Sequence, residues 1–174
     1  HTLAGEATDA YEGGRQKLAD WFGTKRDQVI FTSGTTEAIN LVAFSWARTN
    51  LSKGDVIVLT EMEHHADIVP WQILQQEIGV EVRFVPVNTE KFELDMDVFK
   101  ESVKDAKLVG VVHTSNVLGT RNPIEEIIEI SKASGAKVLI DAAQAAPHDR
   151  IGFDQCGADF VSISAHKMCG PTGI

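Results

Sequence analysis

Short runs of valine, isoleucine and leucine recur along this chain and are separated by segments with helical periodicity. Three of the most continuous runs cover 55–59, 108–113 and 137–141. Apolar runs of this length are typical of strands that are buried on both faces. Strands that alternate with helices in this way predict a parallel sheet with helices packed on each side. We therefore expect an α/β fold with a three-layer α-β-α arrangement around a mostly parallel sheet.

The same patterns predict the individual elements. The predicted strands cover 28–32, 55–59, 80–85, 108–113, 137–141 and 159–164. The predicted helices cover 6–21, 35–47, 68–77, 95–104 and 123–133. Apolar and polar residues alternate over 80–85, which indicates a half-exposed strand near the edge of the sheet. No tract rich in Pro, Gly or Ser divides the chain, so we expect residues 1–174 to form one domain.

The charge of the chain argues against several kinds of partner. There are 25 acidic and 16 basic side chains, which gives a net charge of −9 at pH 7. This balance, without a run of Lys or Arg, disfavours binding to nucleic acid or to anionic membranes. No apolar stretch is long enough to span a membrane. Cys156 and Cys169 make no disulfide framework, so we expect a reducing compartment.

Polar side chains cluster just beyond the carboxyl ends of the predicted strands. The clusters cover 33–37, 61–65, 113–116, 141–144 and 164–167. The carboxyl ends of parallel strands lie at one edge of the sheet, which is where α/β folds bind ligands. Each cluster alone is a weak signal, but together they predict a ligand site at this edge.

Two of these clusters have side chains suited to a charged ligand. Residues 33–36, Ser-Gly-Thr-Thr, lead into a helix, where free N–H groups and hydroxyls can bind a phosphate or simply cap the helix. Asp141 ends a buried strand, so its carboxylate needs a partner to stay ionised. That partner is either a protonated ring nitrogen, the N-terminus of the next segment or a basic side chain.

The remaining clusters contain histidines and a lysine. His64 and His65 could stack on a planar ligand, bind a metal with nearby carboxylates or lie in solvent, and no metal-ligand spacing supports the second reading. Lys167 follows an apolar run and precedes a Gly-Pro turn, where its amine is either a nucleophile toward a carbonyl or an ordinary surface group. A phosphate, a ring nitrogen and an aldehyde are combined in pyridoxal 5′-phosphate (PLP). We therefore expect PLP as the cofactor, with no metal.

Five segments together resemble cysteine desulfurases of the class V aminotransferase superfamily. The segment around the lysine, 164–174, reads SAHKMCGPTGI. The other four cover 32–40, 63–71, 115–119 and 141–148, and they follow the order of the family. Residues 63–71, EHHADIVPW, are similar to the group that includes SUF-type desulfurases and selenocysteine lyases. The resemblance implies a truncated large domain of a PLP-dependent transferase of fold type I.

The resemblance also implies roles for individual residues. Lys167 would form a Schiff base with PLP and then move protons, and Asp141 would pair with the pyridinium nitrogen. His64, matched rather than His65 because it directly follows Glu63, would stack on the ring. The remaining cofactor contacts fall on polar residues at the same edge of the sheet. Thr35, Thr36, Ser164 and His166 would hold the phosphate, Gln144 would bind the phenolic oxygen, and Asn116 would lie near the substrate carboxylate.

The activity implied by the resemblance is the removal of sulfur from L-cysteine, or of selenium from L-selenocysteine. The products from L-cysteine would be L-alanine and an enzyme persulfide, which passes sulfur to an acceptor protein for iron–sulfur cluster assembly. Such enzymes are cytoplasmic homodimers. The persulfide-forming cysteine and the arginine that binds the substrate carboxylate would lie beyond residue 174, and we do not expect Cys156 or Cys169 to replace that cysteine. Alternatives are a kynureninase-like or epimerase-like lyase of the same class, or a non-catalytic binding domain.

Overall fold

The computed structural model describes residues 2–149 and 151–174. Its α-helices are α1 Thr2–Phe22, α2 Thr35–Leu41, α3 Arg48–Asn50, α4 Val69–Ile78, α5 Met96–Ser102, α6 Ile124–Ala133 and α7 Phe153–Cys156. Its strands are β1 Val56–Thr60, β2 Glu81–Val85, β3 Val87–Asn88, β4 Glu93–Leu94, β5 Ala106–Val112, β6 Lys137–Asp141 and β7 Phe160–Ser162. A π-helical turn, Val42–Ala47, joins α2 to α3, and short 3-10 turns cover Arg26–Gln28, His65–Asp67 and Ala165–Met168.

The parallel sheet predicted from the sequence is confirmed. Five strands lie in the order β2-β1-β5-β6-β7, and every neighbouring pair is parallel. Strand β2 lies at one edge, as the alternating pattern over 80–85 indicates. Strands β3 and β4 form a separate antiparallel pair outside this sheet. Because the main strands are parallel, their carboxyl ends share one edge.

Two apolar clusters cover the two faces of the sheet. On one face Val58, Val109 and Ile140 pack with Phe99 of α5 and Ile127 of α6. On the other face Ile57, Leu59, Leu108 and Leu139 pack with side chains of α2, of the π-helical turn and of α4. Successive strand residues point to opposite faces, so fully apolar strands can serve both clusters. This arrangement gives the three layers, α-β-α.

The predicted strand at 28–32 is wrong. Gln28 ends the 3-10 turn Arg26–Gln28, and residues 29–32 have no regular secondary structure and pair with no strand within 2–149 or 151–174. They face residues 160–163 across an apolar cavity of about 490 Å³. Apolar and β-branched residues favour extended backbone, but a strand also needs a neighbour to complete its hydrogen bonds. No strand of the described residues supplies that neighbour.

No helix within the described ranges is long and apolar enough to cross a membrane. The longest, α1, has 21 residues and carries charged side chains along its length.

Candidate active site

The polar clusters that follow the strands lie together at the carboxyl edge of the sheet. In the β5–β6 and β6–β7 ladders, Asp141 is opposite Val112 on one side and Ser162 on the other. The backbone N–H of His113 donates to the Asp141 carbonyl at 2.8 Å, which continues the ladder past the end of β5. Asp141 therefore occupies the middle of the edge, between the segments that follow β5 and β7.

Two hydroxyls meet where the segment after β7 approaches the first turn of α2. Thr35 Oγ1 and Ser164 Oγ are 2.8 Å apart, and the Thr35 N–H donates to Ser164 Oγ at 3.0 Å. Both residues are buried. Gly34 precedes the helix with φ +129°, a conformation that favours glycine. The structure thus brings together two of the four residues predicted to hold a phosphate.

Thr36 and His166, the other two predicted phosphate residues, are exposed. Thr36 follows Thr35 in the first turn of α2, and His166 lies in the 3-10 turn after Ser164. Neither side chain makes a hydrogen bond within the described part of the chain. They border the hydroxyl pair in sequence, and their side chains are accessible from solvent.

Asp141 is a buried carboxylate that faces two basic side chains. It is 4% exposed, and its Oδ1 accepts a hydrogen bond from the Ala143 N–H at 2.9 Å. Burial raises its pKa, while the Ala143 N–H and the charges of Lys167 and His64 act in the opposite direction. The sequence left open a local cap, a basic partner or a ring nitrogen, and the structure contains the local backbone contact, to the Ala143 N–H.

The two adjacent histidines differ in their surroundings. His64 is half-buried, and its Nδ1 accepts from the Ala66 N–H at 3.1 Å. His65 is exposed and stacks on His64 with ring centroids 4.2 Å apart. Among the two, only His64 acts on the charge state of Asp141. The charge of His64, but not that of His65, is therefore among the influences on the pKa of Asp141.

Lys167 lies in a tight turn at the rim of the site. The Lys167 N–H donates to the Ser164 carbonyl at 3.2 Å, and the Gly170 N–H donates to the Ala165 carbonyl at 2.8 Å. A Cβ at Gly170 would lie 2.9 Å from the Ala165 carbonyl oxygen, so the turn requires glycine there. The Lys167 side chain is exposed. The hydrogen bonds of the turn fix the backbone of Lys167, and packing does not fix its side chain.

Two other predicted residues are less constrained. Asn116 is exposed in the loop after β5, and Gln144 is half-buried in the turn after β6. Neither side chain makes a hydrogen bond within the described residues. Cys156 and Cys169 are both free, with Cys156 half-buried and Cys169 exposed.

The sequence reasoning missed a pair of buried acids behind His64. Glu63 Oε1 accepts from Thr60 Oγ1 at 2.6 Å and from the Val112 N–H at 2.9 Å. Asp67 Oδ1 accepts from Trp71 Nε1 at 2.8 Å. Glu63 is 8% exposed and Asp67 is fully buried. The spacing of these residues, four apart at 63, 67 and 71, was the available signal, since such residues share one face of a helical turn.

Gly110 in β5 provides the space for Asp67. A Cβ at Gly110 would lie 2.7 Å from Leu59 Cδ2 and 3.2 Å from Asp67 Oδ2. A glycine inside a buried strand marks such a close approach. The sheet is therefore shaped at its centre to accept the Asp67 carboxyl group.

Gly110→Ala is expected to destabilise the protein because the added methyl overpacks Leu59 and Asp67. Overpacking of this kind costs about 1–3 kcal/mol, which urea unfolding measures as a lower midpoint. Gly13→Ala in α1 is the matched control, since a Cβ at Gly13 meets nothing within 4 Å. That variant should be slightly more stable, by roughly 0.5–1 kcal/mol. A Gly110→Ala variant as stable as the wild type would show that this packing is not tight.

The donor set at this edge fits PLP. A buried carboxylate facing cations suits a protonated ring nitrogen, a half-buried imidazole suits a flat ring, and two buried hydroxyls at the start of a helix suit a phosphate. An exposed lysine amine at the rim suits an aldehyde. Within 2–149 and 151–174, no cluster of three or more His, Cys, Asp or Glu side chains is arranged to hold a metal.

Comparison with known proteins gives the family. The family model described as aminotransferase class-V matches residues 1–174. A probable cysteine desulfurase of Halalkalibacterium halodurans is 47% identical over 175 residues, which cover 100% of this chain and 43% of that protein. The apo structure of a cysteine desulfurase from Thermococcus onnurineus NA1 superposes with a TM-score of 0.94 at 40% identity, over 99% of this chain and 43% of that one.

A third match extends the likeness to a structure with a bound amino acid. The structure described as SspA in complex with cysteine has a TM-score of 0.89 at 27% identity, over 99% of this chain and 50% of that one. The chain thus spans half or less of each of these relatives. The family model nevertheless covers all 174 residues. The chain therefore belongs to the class-V aminotransferases, and its relatives include proteins named as cysteine desulfurases.

Proposed function

We propose that this chain is the PLP-binding portion of a cysteine desulfurase. The observation that carries the proposal is the environment of Asp141, a buried carboxylate at the carboxyl edge of the sheet that faces Lys167 and His64. A carboxylate in this position can keep a ring nitrogen protonated. The same edge also carries the Thr35–Ser164 hydroxyl pair.

The residues at the edge divide the work of holding the cofactor. Lys167 would supply the amine for the aldehyde and could carry protons within the site. Asp141 would bind the protonated ring nitrogen, and His64 would pack against the ring. When bound, PLP supplies an electron sink for the bonds at the α-carbon of an amino acid. The chain itself supplies orientation, charge and proton transfer.

Polar side chains around this centre fix the rest of the cofactor and the substrate. Thr35 and Ser164 hold the phosphate together with Thr36 and His166. Gln144 donates to the phenolic oxygen of the ring, and Asn116 lies toward the substrate carboxylate. Thr36, His166 and Asn116 are exposed, so their side chains are free to turn toward a ligand.

The substrate we propose is L-cysteine, with L-selenocysteine as the close alternative. The names of the relatives and the cysteine-bound neighbour support this choice. The products from L-cysteine are L-alanine and a persulfide on a cysteine of the longer protein. That persulfide then passes sulfur to an acceptor protein for iron–sulfur cluster assembly in the cytoplasm. Because this chain spans under half of the desulfurases it matches, the persulfide cysteine and the carboxylate-binding arginine are assigned to the remainder.

We also propose that the longer protein is a homodimer. Several large apolar side chains of this chain are exposed, including Leu3 at 81%, Ile30 at 67% and Val117 at 82%. A homodimer would cover part of this exposed apolar surface.

The proposed function predicts PLP binding without desulfurase turnover for the 174-residue chain. Titration with PLP should produce a new absorption band, because the ring-binding residues and Lys167 are present. Sulfide release from L-cysteine should stay at background, because the persulfide cysteine is assigned to the remainder of the protein. Absence of a PLP-dependent band would contradict the cofactor site. Rapid sulfide release by the 174-residue chain would contradict the assignment of the missing cysteine.

A further inference from the structure

Glu63 and Asp67 are buried acids that the proposed mechanism does not use. Each has one carboxyl oxygen that accepts hydrogen bonds and one that is buried without a partner, Glu63 Oε2 and Asp67 Oδ2. Within the described part of the chain, no Lys, Arg or His forms an ion pair with either residue. Buried carboxyl groups without a cation are expected to keep a proton.

Both carboxyl groups lie against β5, Glu63 at the Val112 N–H and Asp67 beside Gly110, which is two residues earlier on the same strand. Two carboxylate oxygens cannot bond to one another, because both only accept, but one proton between them satisfies both. Burial raises the pKa of Asp67 to about 7, and burial together with the Asp67 charge raises the pKa of Glu63 well above its usual range. One proton between the two carboxyl groups would explain both the unpaired oxygens and the raised pKa values.

We propose that Glu63 and Asp67 share one proton at neutral pH, held between Glu63 Oε2 and Asp67 Oδ2, and that this carboxyl pair positions His64. Glu63 and His64 directly precede the 3-10 turn His65–Asp67. Glu63 attaches the start of this segment to β5 through the Val112 N–H, and Asp67 attaches its end to Trp71 of α4. Between them, the Asp67 N–H donates to the His64 carbonyl at 2.7 Å. The imidazole is therefore presented by a turn that is fixed at both ends.

The shared proton also limits the charge beside Asp141. The charged group that faces the pair from a neighbouring strand is Asp141 on β6, while Thr60, Val112 and Trp71 contribute neutral hydrogen bonds. A pair with one proton carries one negative charge instead of two. Each added negative charge would raise the pKa of Asp141 further and favour its protonation. The pair therefore helps Asp141 to stay ionised, and this consequence for a bound cofactor rests on the proposed function.

Infrared spectroscopy tests the shared proton directly, without the cofactor. At pH 7 the wild-type chain should show the carbonyl stretch of a buried protonated carboxyl group. Glu63→Gln and Asp67→Asn should each lose this band, because the new amide donates to the remaining carboxylate in place of the proton. Asp141→Asn is the matched control and should keep the band.

Each other outcome overturns the shared proton. Absence of the band from the wild type, or its survival in both amide variants, contradicts the proposal. Loss in only one amide variant would assign the proton to a single carboxyl group, and loss in Asp141→Asn would assign it to Asp141. The wild-type spectrum alone keeps the proposal testable if a variant fails to fold.

Unfolding in urea as a function of pH tests the same proton independently. A carboxyl group whose pKa is raised by folding stabilises the protein at low pH and loses this contribution as pH rises. For Asp67 the window lies between about 4, the ordinary range, and about 7. Asp67→Asn has no such proton to lose, so its unfolding midpoint should rise relative to the wild type across this window. Parallel pH profiles would contradict the proposal.

The positioning role is tested separately by the pH profile of the PLP-dependent absorption band. In the wild type the position and intensity of this band should stay constant from pH 6 to 8. Glu63→Ala loses the anchor to β5, so the apparent pKa at which the band changes should differ from that of the wild type. An identical profile in Glu63→Ala would overturn the positioning of His64. If the wild type binds no PLP, the proposed function fails, and the infrared result still decides whether the proton is shared.

Discussion

Replacing Lys167 with alanine is expected to abolish borohydride-stable attachment of PLP and to leave the fold intact. The side chain is exposed, and the hydrogen bond from its backbone N–H to the Ser164 carbonyl does not depend on it. Loss of a group that carries protons would also lower turnover of the longer enzyme by roughly 10²- to 10⁴-fold or more. Attachment is measured by the absorbance that remains with the protein after reduction and denaturation.

Lys107→Ala is the matched control for this prediction. Lys107 is also an exposed lysine, but it lies near the amino end of β5, away from the edge that carries the site. The control should retain wild-type attachment. Equal attachment in wild type and Lys167→Ala would remove the lysine from its proposed role.

Replacing Asp141 with asparagine is expected to weaken PLP binding and, at the same time, to stabilise the protein without PLP. Asparagine can still accept from the Ala143 N–H, so the local turn is retained. Removing one partner of a buried ion pair costs about 3–5 kcal/mol, which corresponds to roughly 10²- to 10⁴-fold in affinity. Equilibrium titration with PLP measures this loss.

The effect of Asp141→Asn on stability has the opposite sign because of pH linkage. Burial raises the pKa of Asp141, so the folded protein holds this proton more tightly than the unfolded chain. The wild type therefore loses stability as pH rises above about 4, the ordinary range of an aspartate. Asparagine has no proton to lose, so the variant should gain relative stability with rising pH in urea unfolding. A variant that is less stable than wild type at pH 8 would show that the Ala143 N–H, Lys167 and His64 together outweigh the cost of burying the carboxylate.

The sheet could be predicted because its strands are local apolar runs. Runs at 55–59 and 137–141 match β1 and β6 closely, since burial on both faces leaves a continuous signal. The segment 28–32 has similar composition, but a strand also depends on a neighbour that local sequence does not reveal. The hydrogen bonds that would define this strand are absent from the described residues, so the prediction failed there.

The site was only partly predictable for a related reason. The sequence predicted that Asp141 and Lys167 lie at one edge because parallel strands share that edge. The contact between Thr35 and Ser164 joins residues 129 positions apart, and the bond from the Val112 N–H to Glu63 spans 49 positions. Such distant contacts depend on how the strands are ordered in the sheet. Glu63 and Asp67 lie in one segment, 63–71, but the contact that joins Glu63 to Val112 follows only from the order of the strands.

The central claim is that PLP attaches to Lys167 at the carboxyl edge of this sheet. The most direct test is to incubate the wild-type chain with PLP, reduce it with borohydride, digest it and locate the modified peptide by mass spectrometry. The account predicts one dominant modified residue, Lys167. Attachment spread over many exposed lysines, or concentrated on a lysine remote from this edge, would contradict it.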